Sequence, residues 1–424
     1  MLTRIITNSQ ELCTFVAQLG LPLSAPQRRH VINVADGLLV TDAPKTLAEI
    51  QRQFVSCVDV SNIADTFRIA PWTAEEIRGP LARFLMRAAL ERLARQGQPL
   101  RLLINLDDSL AIKDPDTRCL EGVDWHYDHA ARRRKRARCQ NALAYLICNI
   151  VAGDWNFTFT LRPYLRKQTV RRINRQRPPN KRLHFVCKYR LARQILEHCR
   201  RLIPTGVAVY VHFDAWYSSA RLLKYIRCQG WHATCRVRPN RKLNGQSIKE
   251  CDLAQRHRRY VLVGVTAADG SKTTYLVRRM IGRLSQAPFD VCGLVSRRHY
   301  RDHRPVYFIS TDLSLSPQKA LQWYARRWNC EIDNFYLKQR LGLSDFRLQS
   351  YEAIDKFCTV VHLAWAYLQW RLAHAVDHRL QNPADVIRLH RDEHSRKWLI
   401  AACQEAIASG NIDPVLKRFL RQEA

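Results

Sequence analysis

The sequence predicts an α/β protein with a helical N-terminal domain, a β-rich insertion within the α/β core and a helical C-terminal segment. Three observations predict it. Apolar residues recur at spacings of three and four over residues 1–97 and give way to strand-like runs after Gln98-Pro99. Between residues 100 and 238 the texture runs strand, hairpin strands, helix, strand, helix, strand, an α/β order. Two of those strands end on aspartate, at Asp107-Asp108 and at Asp214, and strand ends are where α/β sheets place their sites.

The N-terminal helices are SAPQRRHVINVADGLLV, KTLAEIQRQFVSCV and TAEEIRGPLARFLMRAALERLARQ, the last opened by Thr73 and Glu76 as a capping box. A helical unit of this size suits DNA binding, and equally dimerisation or packing. LRLLINL (100–106), CQNALAYLICNIVAG (139–153) and WNFTFTLRPYL (155–165) are β-branched or aromatic-rich strands, and residues 181–203 have helical periodicity. VAVYVHFD (207–214) is a buried strand, 216–230 a helix stopped by Gly230, and WHATCRVR (231–238) the next strand. YVLVGVTA, TTYLVRRMI and PVYFIST, separated by glycine-bearing turns, predict an antiparallel insertion over 240–310. Ser316-Pro317 then opens a helix that Gly342 ends, and further helices fill the C-terminus. The expected units are 1–97, a core of 98–239 with 311–372, the insertion 240–310, and 373–424.

A chain of 424 residues with 46% hydrophobic and 25% charged residues has a globular composition, which excludes a disordered or low-complexity chain. No apolar run reaches the ~18 residues that span a bilayer, and MLTRIITNSQELCTF has no basic start followed by a long apolar stretch, so a cytoplasmic protein is expected. The net charge of +32 points to a polyanionic partner. Residues 1–97 hold 11 Lys/Arg against 9 Asp/Glu, so nearly all the excess lies beyond them. Residues 131–138 hold six Lys/Arg, among them Arg132, Arg133, Arg134, Lys135 and Arg136, and residues 160–201 hold 14 against one acidic residue. Both runs suit phosphate contacts. The 14 cysteines form no Cys-x-x-Cys pair and read as small apolar filler. His299/His303 and His390/His394 have helical i, i+4 spacing, but no glutamate or cysteine completes a zinc signature, so both pairs are expected to face DNA or solvent.

The chemistry concentrates on the helix from 317. At 100° per residue Tyr324, Arg327, Glu331 and Lys338 fall on one stripe about 60° wide, with Asp333 near the opposite side. Three carboxylates drawn from two strand ends and this helix can hold two divalent cations, one for the attacking oxygen and one for the leaving oxygen. An all-carboxylate set implies Mg²⁺ or Mn²⁺. Charge and reaction together point to double-stranded DNA as substrate, with no small-molecule substrate and no membrane.

INLDDS (104–109), VYVHFDAWYSSARLLKYIRCQGW (209–231) and YARRWNCEIDNFYLKQRLGL (324–343) resemble the three acidic blocks of DDE transposases of bacterial insertion sequences. The third is similar to the subgroup signature Tyr-x₂-Arg-x₃-Glu-x₆-Lys, at Tyr324, Arg327, Glu331 and Lys338. The resemblance covers about residues 98–372. It implies a ribonuclease H-like core, Asp108, Asp214 and Glu331 as catalytic metal ligands, and N-terminal helices that recognise transposon ends. It also implies DNA contacts from Tyr324, Arg327 and Lys338, a homodimer on paired ends and a nucleoid-associated protein. The pattern sets the first aspartate before a small hydroxyl residue, which favours Asp108 over Asp107. The insertion lacks a tryptophan for stacking on a flipped base, leaving Tyr275, Phe289 and Tyr300 as substitutes. The alternatives are a structure-specific nuclease without strand joining and a domesticated, non-catalytic DNA-binding protein.

Overall fold

A computed structural model describes residues 4–42, 44–56, 60–128, 139–266, 270–302 and 304–419. The run at 131–138, and with it Arg132, Arg133, Arg134, Lys135 and Arg136, lies outside the described residues.

Five helices come first: α1 (Gln10–Gln18), α2 (Ala25–Val40), α3 (Leu47–Gln51), α4 (Val60–Arg68) and α5 (Glu75–Arg95). The α/β part follows as β1 (Arg101–Ile112), β2 (Asp124–Tyr127), β3 (Cys139–Ala152), β4 (Trp155–Tyr164), α6 (Lys167–Asn174), α7 (Lys188–Leu202), β5 (Ala208–Phe213), α8 (Ala220–Cys228) and β6 (His232–Val237). Next are the hairpin β7 (Lys242–Leu243) and β8 (Gln246–Ser247), α9 (Ile248–Ala254), β9 (Val261–Thr266), β10 (Lys272–Arg283), β11 (Asp290–Arg297) and β12 (Val306–Ser310). The chain closes with α10 (Pro317–Ala325), α11 (Asn329–Phe335), α12 (Tyr351–Ala373), α13 (Pro383–Ser409) and α14 (Asp413–Phe419).

β1, β3 and β4 pair antiparallel, and β5 and β6 add parallel beside β1, giving the order β4-β3-β1-β5-β6. This mixed arrangement is consistent with a ribonuclease H-like core. β2 pairs with the end of β3. The strands of 261–310 form no sheet of their own. β12 pairs antiparallel with β6, and β11, β10 and β9 follow, so they extend the core sheet to ten strands. The outer side of β6 would otherwise present unpaired N–H and C=O groups, and β12 satisfies them.

One apolar core runs from Ile5 to Ile387 and unites the N-terminal helices, the sheet and α12. α12 is buried almost all round, as a helix apolar on every side must be. It packs on β4 and against α2, α4, α5 and α13. Arg78 of α5, 2% exposed, pairs with Asp355 of α12, and Lys356 Nζ donates to the carbonyls of Phe67 (3.2 Å) and Ala70 (2.8 Å). The texture change at residue 97 is therefore not a gap in packing.

His390 and His394 depart from expectation. Both are buried and face Asp36 of α2, not solvent or DNA, because α13 lies against α2. His303 lies outside the described residues. Among the described residues the cysteines are free, six of them buried, and no helix is long and apolar enough to cross a membrane.

Candidate active site

The parallel register of β1 and β5 sets Asn105 opposite His212. Side chains alternate faces along a strand and partners share a face, so the register carried two residues on turns Asp107 towards Asp214, whose charge acts on it. The shared face continues down to Asn105, whose Oδ1 is 3.1 Å from His212 Nδ1. The chain between α10 and α11 covers it: Asn105 Nδ2 donates to the Arg326 carbonyl at 3.3 Å, and Cys330 Sγ lies 3.7 Å from the Asn105 carbonyl.

The expected single helix over 317–342 keeps its direction but changes its winding. A 3₁₀ turn at Arg326–Trp328 separates α10 from α11, and a π turn spans Tyr336–Arg340. Such irregular turns are frequent at functional sites. The 3₁₀ turn delivers Arg327, which donates to Asp107 Oδ2. The π turn delivers Lys338, whose Nζ donates to Ser109 Oγ at 3.0 Å. Glu331 sits between them, exposed. Asp333 anchors the other side of α11 in the core, accepting from Asn149 Nδ2 (2.8 Å), Gln369 Nε2 (3.0 Å) and Trp365 Nε1 (3.2 Å). Gly342, with φ +67°, ends the segment where a Cβ would meet Lys45 Cβ at 2.6 Å.

Burial raises the Asp107 carboxyl to about 7; Arg327 opposes this, while the negative charges of Glu331, Asp108 and Asp214 add to it. These carboxylates thus share one field. Burial pulls the Arg327 guanidinium down, but Asp107 outweighs it and holds the charge firmly in place. His212, lowered to about 3 by burial and Arg327, is neutral. The Lys338 ammonium is lowered by burial and supported by Glu331. A partly exposed set of hard oxygen donors, in excess over its one bound guanidinium, fits a divalent cation.

Asp108 points the other way. Its Oδ2 accepts from Lys188 Nζ of α7 and its Oδ1 from the Tyr217 hydroxyl at 3.0 Å. Adjacent residues on β1 face opposite ways, so Asp107 shares the side of Arg327 while the motif-based choice, Asp108, faces Lys188 and Tyr217. The signal was present in the sequence as polar residues at alternate positions, Asn105, Asp107 and Ser109, matched by His212 and Asp214.

Tyr324 packs edge-on to Phe308 (4.9 Å) and His212 (6.3 Å), and burial raises its phenol to about 12. It buttresses the site from inside. Within 160–201, Arg162, Arg166, Arg177, Lys188 and Arg193 pair with carboxylates of the protein itself. Of Tyr275, Phe289 and Tyr300, the three aromatics weighed for stacking, Tyr300 is exposed, at 70%.

Residues 188–367 match the family described as Transposase DDE domain, and residues 15–259 match that described as DDE superfamily endonuclease. No curated protein matches the chain. The second match spans more than half of the chain and contains β1 and β5; the first contains Asp214 and Glu331. With both aspartate-bearing strands and the Glu331 segment inside these matches, the chain belongs to the DDE superfamily of transposases and endonucleases.

Proposed function

We propose that the protein cleaves the ends of an insertion sequence and joins the freed 3′-hydroxyl to target DNA, with Asp107, Asp214 and Glu331 as its catalytic carboxylates. The observation that carries this reading is the common face of Asp107 and Asp214 beneath the segment bearing Arg327, Glu331 and Lys338. Asp108 remains the runner-up for the first carboxylate. The three carboxylates would hold two divalent cations, Mg²⁺ or Mn²⁺. When bound, these supply activation of the attacking oxygen and stabilisation of the leaving oxygen.

The chain's own residues do the rest. Arg327, fixed by Asp107, presents its remaining N–H groups to oxygens of the scissile phosphate, and Lys338 supplies a second positive charge. Tyr324 and His212, both neutral, keep the floor of the site rigid. Lys188 and Tyr217 hold Asp108 on the far face, where it steadies the β1 end. The basic surface, including the run at 131–138, binds duplex phosphates. A homodimer on paired ends follows from the need to cut two ends together.

The test is cleavage and joining of end DNA into a supercoiled plasmid by single variants. Asp107→Asn, Asp214→Asn and Glu331→Gln are each expected to abolish cleavage while retaining DNA binding, and Asp108→Asn to retain cleavage. A dead Asp108→Asn beside an active Asp107→Asn would overturn the assignment. Cleavage without joining by the wild type would point to a nuclease.

A further inference from the structure

We propose that Asp36, His390 and His394 form a binding site for a zinc-class divalent cation, distinct from the proposed catalytic carboxylates, that clamps helix α13 onto α2. His390 and His394 stand one turn apart on α13, and Asp36 faces them from within α2. All three side chains are at most 1% exposed. His390 Nε2 lies 2.7 Å and His394 Nε2 2.9 Å from the same oxygen, Asp36 Oδ1, and the three ligand atoms lie within 4.8 Å of one another. Asp36 Oδ2 is taken by the Ser9 backbone N–H at 2.9 Å, which fixes the carboxylate with Oδ1 turned towards the rings.

Charge points to a cation. Among the described residues no lysine or arginine forms an ion pair with Asp36, so the two imidazoles are the side chains that face this buried carboxylate, and an unpaired charge there is an expensive state. The donor set decides which cation. Two imidazole nitrogens and one carboxylate oxygen suit Zn²⁺, whereas Mg²⁺ prefers an all-oxygen shell. Zinc bonds of about 2.0–2.2 Å separate tetrahedral ligands by a little over 3 Å, so an opening of about 0.5 Å admits the ion. The Ser9 and Tyr367 hydroxyls are buried in the same region and can hold water in the fourth position. The clamp joins residues more than 350 positions apart, a closure that is entropically costly in the unfolded chain.

Full-length protein stripped with a chelator and returned to Mg²⁺ buffer is titrated with Zn²⁺ alone and, in parallel, with Co²⁺ alone. The expected result is one Zn²⁺ per chain retained through dialysis against Mg²⁺, a higher thermal midpoint, and visible absorption from four-coordinate Co²⁺. His394→Gln keeps a hydrogen-bond donor for Asp36 but removes a ligand, and its zinc affinity should fall at least about 100-fold. Glu331→Gln should leave zinc stoichiometry unchanged. Absence of stoichiometric zinc in the wild type, or equal affinity in His394→Gln, overturns the proposal and leaves a purely hydrogen-bonded staple. If His394→Gln does not fold, the wild type decides: a thermal midpoint indifferent to chelation and zinc overturns it too.

Discussion

Asp107 carries a cost that its proposed role as a catalytic carboxylate would explain. An unfolded aspartate ionises near pH 4, whereas the folded carboxyl sits at about 7, raised by burial and by its acidic neighbours. Between those values the native chain keeps a proton that the unfolded chain has lost, so stability falls as pH rises through the window. In metal-free protein Asp107→Asn is expected to be more stable than wild type at pH 8, by on the order of 1–4 kcal/mol, with the difference fading by pH 4. Urea unfolding from pH 4 to 8 measures it; a difference independent of pH would show that the carboxyl is not held protonated. Added Mg²⁺ should stabilise the wild type and not the variant. Its place on the Arg327 side of β1 was legible only through strand periodicity. A motif read as a string weighs Asp107 against Asp108 by the residue that follows, while the sheet separates them by face.

The elements were legible where one face is apolar and obscure where the chain leaves regular winding. β1, β5 and β6 follow from their apolar runs, and the stop at Gly342 from the glycine itself, which takes the positive φ there. The 3₁₀ and π turns around α11 have no comparable signature, because they satisfy tertiary contacts: Asp333 in the core on one side, Arg327 and Lys338 over β1 on the other. The burial of His390 and His394 was equally hidden, since their partner lies in α2 and no local pattern announces it. Between elements, the tie of α5 to α12 rests on Arg78, which pairs with Asp355 and with Glu75. Arg78→Leu leaves Asp355 without its buried partner. A loss of about 3–5 kcal/mol in denaturant unfolding is expected, with little change in the intrinsic cleavage rate of the folded fraction. A loss below 1 kcal/mol would mean that apolar packing alone joins the helices.

At the scale of the molecule, the charge of +32 was the most informative number in the sequence, and the structure divides it. Basic residues in 160–201 that pair internally add little to DNA affinity, so the run at 131–138 should carry a disproportionate share. Replacing Arg132, Arg133, Arg134, Lys135 and Arg136 with serine is expected to reduce the salt slope of duplex binding by up to about 4.5. An unchanged slope, measured by fluorescence anisotropy across a salt series, would remove that run from the interface. The shared core also means that fragment 98–424 should not fold, because α12 would lose the helices that cover it. End recognition by residues 1–97 is better tested by surface variants than by deletion. The sheet has a last consequence. With β12 to β9 continuing beyond β6, the strands bearing Asp107 and Asp214 lie in mid-sheet, while β9 is a margin with Val261 and Leu262 exposed. Amide exchange should therefore be graded across the sheet: β9 opens first, and the β1 and β5 amides exchange only through global unfolding. Fraying at the rim then costs the molecule no alignment at the centre, and the protein can yield to a bulky polymer at its margins while the proposed carboxylates stay in register.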